Sequence, residues 1–402
     1  MRRAIVFLEQ QSWLGGGQRV LEATIDTVAG DYDCIVAFPD SGSFRSALEQ
    51  RNLETLDFPI GNYQPGRKSW LEMAAFAWRS LYCGLRLAVF IRRRRIALVY
   101  INGPRCLPAG VLAAWLTGRT AIFHLHLILT RKSELLLVRA LSWRVSRILA
   151  CSNAAASSLV GSNRRLHAKT QVVYNPLRQH RDRRLSWHSE LTSRSGQNHF
   201  MIGVVGRITE SKGHHLLLQA IARLPLEVRN KLRILFVGSE APGCESDLQY
   251  ARKLQTEASR QGLEQQIIWA GFQPDPGPCY ASMDVLVHPA LAEAIGIAIL
   301  EALDRGIPVI AARTGGIPEV VRDGFNGLLV SMQDEDALCQ ALALFVKKRR
   351  LRERLQAGAR CGLDRRFSME TFSSAIRTVI GQLCPLVNSP EPQAPAVRTE
   401  QW

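Results

Sequence analysis

Long uncharged apolar runs are missing from this 402-residue chain. The nearest candidate, Trp70 to Ile91, is interrupted by Arg79 and Arg86, and falls short of the roughly 18 apolar residues expected of a membrane span. The first apolar run, Ala4 to Leu8, is shorter than the roughly 7–15 residues of a signal-peptide core and reads as a buried strand. Nine cysteines are scattered without a CxxC pair or metal-ligand spacing, so reduced cytosolic thiols are expected rather than a disulfide scaffold or zinc module. Acid is also in short supply: 51 Lys and Arg face 35 Asp and Glu, a net charge of +16. Nucleic acid is one reading of that excess. No helix-turn-helix, zinc finger or aromatic-rich RNA motif accompanies it, and an anionic membrane face or a pyrophosphate-linked ligand explains the charge as well.

What is present is regular alternation. Short β-branched runs at Ala4–Leu8, Cys34–Phe38, Leu98–Ile101, Ala121–His124, Ile148–Ala150 and Gln171–Val173 alternate with helical patterns, then again at Met201–Val205, Leu232–Val237, Ile267–Trp269, Val285–His288 and Val309–Ala312. That is a parallel α/β chain. One stretch rich in Arg, Ser and His breaks it, and the length suits two full domains. The reading is a first domain over 1–178, a linker over 179–198, a second domain over 199–367, a final helix over 368–384 and a disordered tail with four prolines over 385–402. The segment 213–224 reads as an ordinary amphipathic helix whose two histidines are surface and cap residues.

The richest chemistry lies between Glu293 and Val330. Glu293-Ala-Ile-Gly296 reads as a tight loop, Ile297 to Leu303 as a short helix stopped by Arg305-Gly306, and Ile307 to Ala311 as a buried strand. Such a loop-to-helix junction aims backbone N–H groups at an anion beside Gly296. Glu293 and Glu301 would repel that anion but accept bonds from hydroxyls. A phosphate flanked by two sets of hydroxyls describes a nucleotide-sugar.

This stretch resembles the donor-site signature of the family-4 retaining glycosyltransferases, which have the GT-B fold: two doubly wound Rossmann-like domains facing across a cleft, with a C-terminal helix crossing back to the first. The resemblance continues in GVVGRITESKG (203–213), AGF (270–272) and YASMDVLVHPALAEAIG (280–296), and more loosely in Gly15-Gly16-Gly17, HLH (124–126), ACS (150–152) and VVYNP (172–176). It implies transfer of a sugar from a nucleoside diphosphate-sugar to a glycan or lipid-linked acceptor, in synthesis of envelope polysaccharide or lipopolysaccharide. Arg207 and Lys212 would contact the diphosphate oxygens, a task suited to a guanidinium and an ammonium just after a strand. Glu301 would hold the ribose and Glu293 the transferred sugar. Gly16, Gly17, Gly271, Phe272, Ile295, Gly296 and Ile297 would complete the donor site, with base recognition near Gly271 and Phe272. The acceptor would meet loops at Ser41–Phe44 and Gly61–Trp70. Many family members have Phe and Ser where this chain has Ile295 and Ala290. His126, after strand Ala121–Leu125, holds the family's position for a histidine near the reacting carbon; His124 shares its face by strand periodicity, and both stay open. The catalytic set expected is His126, Glu293, Arg207 and Lys212.

The triple glycine is not GxGxxG, and no acid closes the second strand, which disfavours a dinucleotide oxidoreductase. Asp31–Asp33 and Asp334–Asp336 look like metal-binding DxD pairs, but the first sits in a turn and the second opens a helix, where acids favour the dipole. No metal or other cofactor is expected, because Arg207, Lys212 and helix N-termini do the leaving-group work. The family retains anomeric configuration, and no glycosidase-like carboxylate pair is legible. A helix over Arg131–Arg147, with Lys132, Leu136, Arg139, Trp143 and Arg147 on one face, together with Arg92–Arg95, suggests peripheral attachment to an anionic cytoplasmic leaflet. The alternatives are a nucleotide-sugar epimerase of the same fold and a basic nucleic-acid or membrane scaffold without catalysis.

Overall fold

Near-continuous Val, Ile, Leu and Phe runs need cover on both faces, and parallel strands flanked by helices supply it. The computed structural model describes residues 2–61, 69–177 and 199–386. Its first sheet contains β1 (Arg3–Glu9), β2 (Tyr32–Phe38), β3 (Glu54–Asp57), β4 (Leu98–Asn102), β5 (Thr120–Leu125), β6 (Arg147–Ala150) and β7 (Thr170–Val172). Their spatial order is β3-β2-β1-β4-β5-β6-β7. The second contains β8 (Phe200–Val205), β9 (Leu232–Val237), β10 (Ile267–Gly271), β11 (Val285–His288), β12 (Val309–Ala312) and β13 (Gly327–Val330), in the order β10-β9-β8-β11-β12-β13. Every strand pairing in both sheets is parallel. Each sheet therefore reverses direction beside its first strand, and such a switch point opens a crevice at the strands' carboxyl ends.

The helices of the first half are α1 (Gly16–Val28), α2 (Ser43–Gln50), α3 (Trp70–Arg94), α4 (Leu107–Thr117), α5 (Lys132–Ser142), α6 (Asn153–Val160) and α7 (Arg164–Lys169). Those of the second are α8 (His214–Ala222), α9 (Leu226–Arg229), α10 (Glu245–Arg260), α11 (Gly277–Tyr280), α12 (Ile297–Asp304), α13 (Glu335–Lys347), α14 (Arg349–Arg360) and α15 (Met369–Leu383). Ser69 and Glu72 form a capping box that starts α3, and Arg95 ends it in the left-handed region. At Gly84 a Cβ would lie 2.8 Å from Leu112 and 3.1 Å from the Ala109 carbonyl, so only glycine lets α3 lie flush on α4.

Contacts on two sides join the halves. Helix α15 returns to the first half and buries Phe372, Ile376, Val379 and Ile380 with Val20, Leu21 and Ile25. The Tyr32 hydroxyl donates to the Cys384 carbonyl at 2.7 Å. On the opposite side, Glu319 accepts from the backbone N–H of Asn153 (3.0 Å) and Ala154 (2.9 Å), and from the Tyr174 hydroxyl (2.8 Å). A carboxylate from one half thus caps the N-terminus of α6 in the other, where it is electrostatically favoured.

Several sequence expectations are corrected. Strands β3 and β13, both at sheet edges, escaped the reading. The helix expected over Arg131–Arg147 ends at Ser142, and Arg147 begins β6 instead of lining a helical face. Within it, Arg139 donates to the Leu159 carbonyl at 2.6 Å. His214 is not on the surface: it is 2% exposed and meets the Phe236 ring edge-on at 5.7 Å. Phe44, expected in an acceptor loop, is 1% exposed and packs in the core. The linker expected at 179–198, most of the loop 61–70 and nearly all of the tail lie outside the described residues. Asp334 caps α13 by accepting from Ala337 N at 2.8 Å, and Asp336 pairs with Arg223 at 2.5 Å.

Truncating Ile376, fully buried between α1 and α15, is expected to cost about 2–5 kcal/mol. Urea denaturation of Ile376→Ala checks it: a change below about 1 kcal/mol would mean that this helix is not docked.

Candidate active site

The carboxyl ends of β8 and β11 carry the loops of the second half. Gly213 (φ +67°) precedes α8, and a Cβ there would lie 2.1 Å from the Pro289 carbonyl. Leu291 N donates to the Ser211 carbonyl at 2.9 Å. The loop after β8 is thereby zipped to the loop after β11, and Lys212 forms an ion pair with Glu293. The pair is largely enclosed, with the Lys212 side chain 25% and the Glu293 side chain 14% exposed. His288, at the end of β11, completes the cluster with its Nε2 3.0 Å from Glu293 Oε2. Burial would raise the Glu293 carboxyl, but Lys212 and His288 outweigh it and hold the acid well below the usual carboxylate range. His288 itself is held down by burial, against the pull of Glu293. It is neutral near pH 7, and because a carboxylate only accepts, its Nε2 carries the proton. The Glu293 carbonyl in turn accepts from Gly316 N at 3.0 Å.

Helix α12 follows directly. Its N-cap, Gly296, has φ +75°, and no side chain caps the first N–H groups of the helix. Glu301 is 7% exposed and accepts from the Tyr280 hydroxyl at 2.8 Å, which fixes one carboxylate oxygen. Ile297 reaches across the cleft: a Cβ on Gly16 would lie 3.1 Å from its Cδ1. Ile295 does not line the cleft with its side chain, which is 2% exposed in the core of the second half. Only its backbone can face a ligand. Gly271 ends β10 and its carbonyl accepts from Gly238 N at 2.7 Å, while Phe272 beside it is 50% exposed. Arg207 lies 3.6 Å from Asp247 and its guanidinium sits 5.8 Å from the Trp13 ring of the first half.

The first half contributes α1, whose N-cap Gly15 also lacks a side-chain cap. A Cβ on Gly17 would meet the His126 ring at 3.9 Å. The two histidines left open by sequence are now distinct. His124 is fully buried and bonded to the Tyr100 hydroxyl at 2.6 Å, whereas His126 sits against the glycine turn. Their rings are 3.9 Å apart. Lys212, Glu293 and Gly296 are thus contiguous in the second half, with Glu301 on the helix that follows, while Ile297 and Arg207 meet Gly16 and Trp13 of the first half and His126 lies against Gly17.

Sequence reasoning missed the support behind His126. Glu9, fully buried at the end of β1, accepts from Asn102 Nδ2 (2.5 Å), Gln18 Nε2 (2.9 Å), Gln10 N (2.7 Å) and Gln11 N (3.0 Å). Since Asn102 gives its amide hydrogens to Glu9, its Oδ1 must face His126 Nε2, 2.7 Å away. That oxygen only accepts, so Nε2 is protonated and the lone pair resides on Nδ1. Among the described residues Nδ1 has no hydrogen-bond partner, although buried. Burial holds His126 down to about 4 and pushes Glu9 up to about 7, despite the donors around it. The register could have signalled Glu9, because it pairs with Asn102 across β1 and β4. His288, Trp13, Tyr280 and Asp247 were likewise missed.

Glu9 keeps a proton in the folded chain that the unfolded chain releases above its ordinary 4.5, so its contribution to stability declines as pH rises to about 7. The stability of Glu9→Gln relative to the native chain should therefore rise between pH 5 and 7, by on the order of 3 kcal/mol at most. His126 works the other way, and its contribution is lost as pH falls from 6.5 towards 4. Denaturant titrations across this range test both; a pH-independent difference for Glu9→Gln would show that Glu9 does not titrate there.

Comparison with known proteins agrees with this geometry. Residues 190–361 match the family described as glycosyl transferases group 1, and residues 14–181 match glycosyltransferase family 4. A lipopolysaccharide core biosynthesis glycosyltransferase, LpsE of Rhizobium meliloti, is 34% identical over 171 residues, which are 42% of this chain and 46% of that protein. A D-inositol 3-phosphate glycosyltransferase of Corynebacterium urealyticum is 34% identical over 145 residues, 35% of this chain and 34% of that protein. The alignments thus span from about a third to about half of these curated relatives. Among solved structures, Anabaena HepE in complex with UDP and glucose superposes with a TM-score of 0.79 at 25% identity, over 95% of this chain and 100% of that one. WaaG, a glycosyltransferase involved in lipopolysaccharide biosynthesis, shares the fold with a TM-score of 0.69 at 15% identity, over 94% of this chain and 99% of that one. Two parallel doubly wound sheets, a crevice between their switch points and matches to both family models lead to one conclusion: the chain belongs to the group 1, family 4 glycosyltransferases of the GT-B fold.

Proposed function

We propose that this chain is a retaining, nucleotide-sugar-dependent hexosyltransferase that acts on a glycan or lipid-linked acceptor in envelope polysaccharide or lipopolysaccharide synthesis, at the cytoplasmic side of a membrane. The observation that carries the reading is the enclosed Lys212–Glu293–His288 cluster beside Gly296, where the next residue, Ile297, meets Gly16 of the triple-glycine turn. That HepE has been solved with UDP and with UDP-glucose supports a nucleotide-sugar as the donor class.

In this reading the diphosphate sits at the uncapped N-terminus of α12, between the cations Arg207 and Lys212. Glu301, one oxygen already committed to Tyr280, offers the other to the ribose hydroxyls. Glu293 holds hydroxyls of the sugar, its charge kept by Lys212 and its orientation by His288. His126 presents an unprotonated Nδ1 to a hydroxyl of the donor or acceptor. The bond from the anomeric carbon to the phosphate oxygen breaks, and the acceptor oxygen bonds to the same face of that carbon. The acceptor's proton passes to the departing phosphate oxygen, so the configuration is retained. The leaving diphosphate is stabilised by side chains and backbone N–H groups, with no metal required.

A donor panel with the product anomer determined by NMR tests the reading. Lys212→Ala and Glu293→Ala should each lower kcat/KM by about 10²–10³. Inverted product, free sugar alone, or wild-type rates in both variants would refute it. Thermal stabilisation by duplex DNA but by none of UDP, GDP or ADP would instead mark a basic scaffold. Turnover should survive EDTA unchanged; a loss restored by a divalent cation would reject the metal-free mechanism.

A further inference from the structure

The site above uses little of the chain's basic excess. Much of the rest lies on α3, whose outer face has no counterpart in the cleft. By length and composition this helix could cross a membrane, yet only one third of its most apolar window is buried. Its inner face carries Cys83, Leu87 and Ile91, which pack into the core with α4. Removing α3 into a bilayer would open that core, so the helix stays docked. Its outer face is a second apolar stripe. Leu71, Trp78, Leu81, Leu85 and Val89 recur at helical spacing and are 43–69% exposed. Trp70, at the start of the helix, is 71% exposed. A soluble surface helix normally carries charge there.

Charge is present, but at the edge. Arg79, Arg86 and Arg93 are seven residues apart, so they stack along one border of the stripe, and all three are exposed. The only acid in α3, Glu72, is used in its own capping box. Beside the stripe a cavity of about 460 Å³ is lined by Leu56, Phe58, Leu85 and Phe90, with Arg86 and Arg93 among its walls. Asp57 also lines it and is paired with Arg45. The apolar surface continues past the end of α3, where Arg92 donates to the Leu116 carbonyl at 2.8 Å next to Trp115, itself 60% exposed. The Arg144 guanidinium lies 5.6 Å from the Trp115 ring and 4.9 Å from Trp143. Near the start of α3, Arg105 links the helix to the strand ends: it lies 5.3 Å from the Phe76 ring and donates to the Gly61 carbonyl at 3.0 Å.

We infer that the outer face of α3 is an interfacial docking surface for an anionic lipid bilayer, with its apolar stripe among the acyl chains and Arg79, Arg86 and Arg93 on the headgroup phosphates. Apolar residues in a band, tryptophans and an arginine border match the chemistry of that interface. The excess positive charge selects an anionic leaflet over a neutral one. Attachment is thus assigned to the outer face of α3, where sequence pointed to the Arg131–Arg147 segment together with Arg92–Arg95 at the end of α3. The inference goes beyond the sugar-transfer reading and does not rest on it.

Co-sedimentation of the full chain with phosphatidylglycerol-containing vesicles, against pure phosphatidylcholine vesicles, is the test. Binding should be at least tenfold tighter to the anionic vesicles and should weaken with salt. The double variant Leu71→Glu/Trp78→Glu and the triple variant Arg79→Gln/Arg86→Gln/Arg93→Gln should each weaken it tenfold or more. Both sets are exposed, so melting temperature and any UDP-induced thermal shift should stay as in the native chain, which keeps a failure here separate from a failure of the donor site. Equal binding to neutral vesicles, native binding by both variants, or no vesicle binding would overturn the proposal. So would a concentration-dependent dimer in sedimentation velocity that Leu71→Glu/Trp78→Glu abolishes, because the stripe would then be covered by a second copy.

Discussion

An ammonium and a carboxylate held largely out of water at the floor of a cleft govern the organisation around them. Lys212 and Glu293 come from loops about eighty residues apart in sequence, joined by one backbone hydrogen bond and by the approach of Gly213 to Pro289. Neither charge would be tolerated there alone, because burying an unpaired ion costs several kcal/mol. Together with a neutral His288 they form a locally neutral group.

The same economy recurs across the interface between halves. Glu319 neutralises the N-terminus of α6, Ile297 rests on Gly16, and α15 returns to bury four apolar side chains on α1. These contacts hold the two sheets together, so Lys212 and Glu293 in one half and His126 in the other keep their spacing. On the histidine side, a buried carboxyl group orients an amide and the amide selects a tautomer. The chemistry at His126 Nδ1 thus depends on Glu9, two bonds of the network away.

Positive charge serves two physical purposes in this chain. In the cleft Arg207 and Lys212 lie beside carboxylates. On α3 the arginines border an apolar stripe with no acidic neighbour on the helix beyond its cap. Composition could report only the sum, +16.

Central strands were legible because burial on both faces demands uninterrupted apolar runs: β9, β11 and β12 were read with the bounds observed. Edge strands β3 and β13 were not, since Glu54-Thr-Leu-Asp57 and Gly327-Leu-Leu-Val330 are short and resemble turns. Local pattern also determined α12, its glycine cap and the pairing of basic and acidic motifs, each set by chain stereochemistry over a few residues. Tertiary structure alone decided which of His124 and His126 meets the glycine turn, that the Ile295 side chain enters the core, and that Glu9 supports the site. It also decided which stripe of α3 faces outward. Those outcomes depend on contacts between residues far apart in sequence, and periodicity along one segment carries no information about what packs against it.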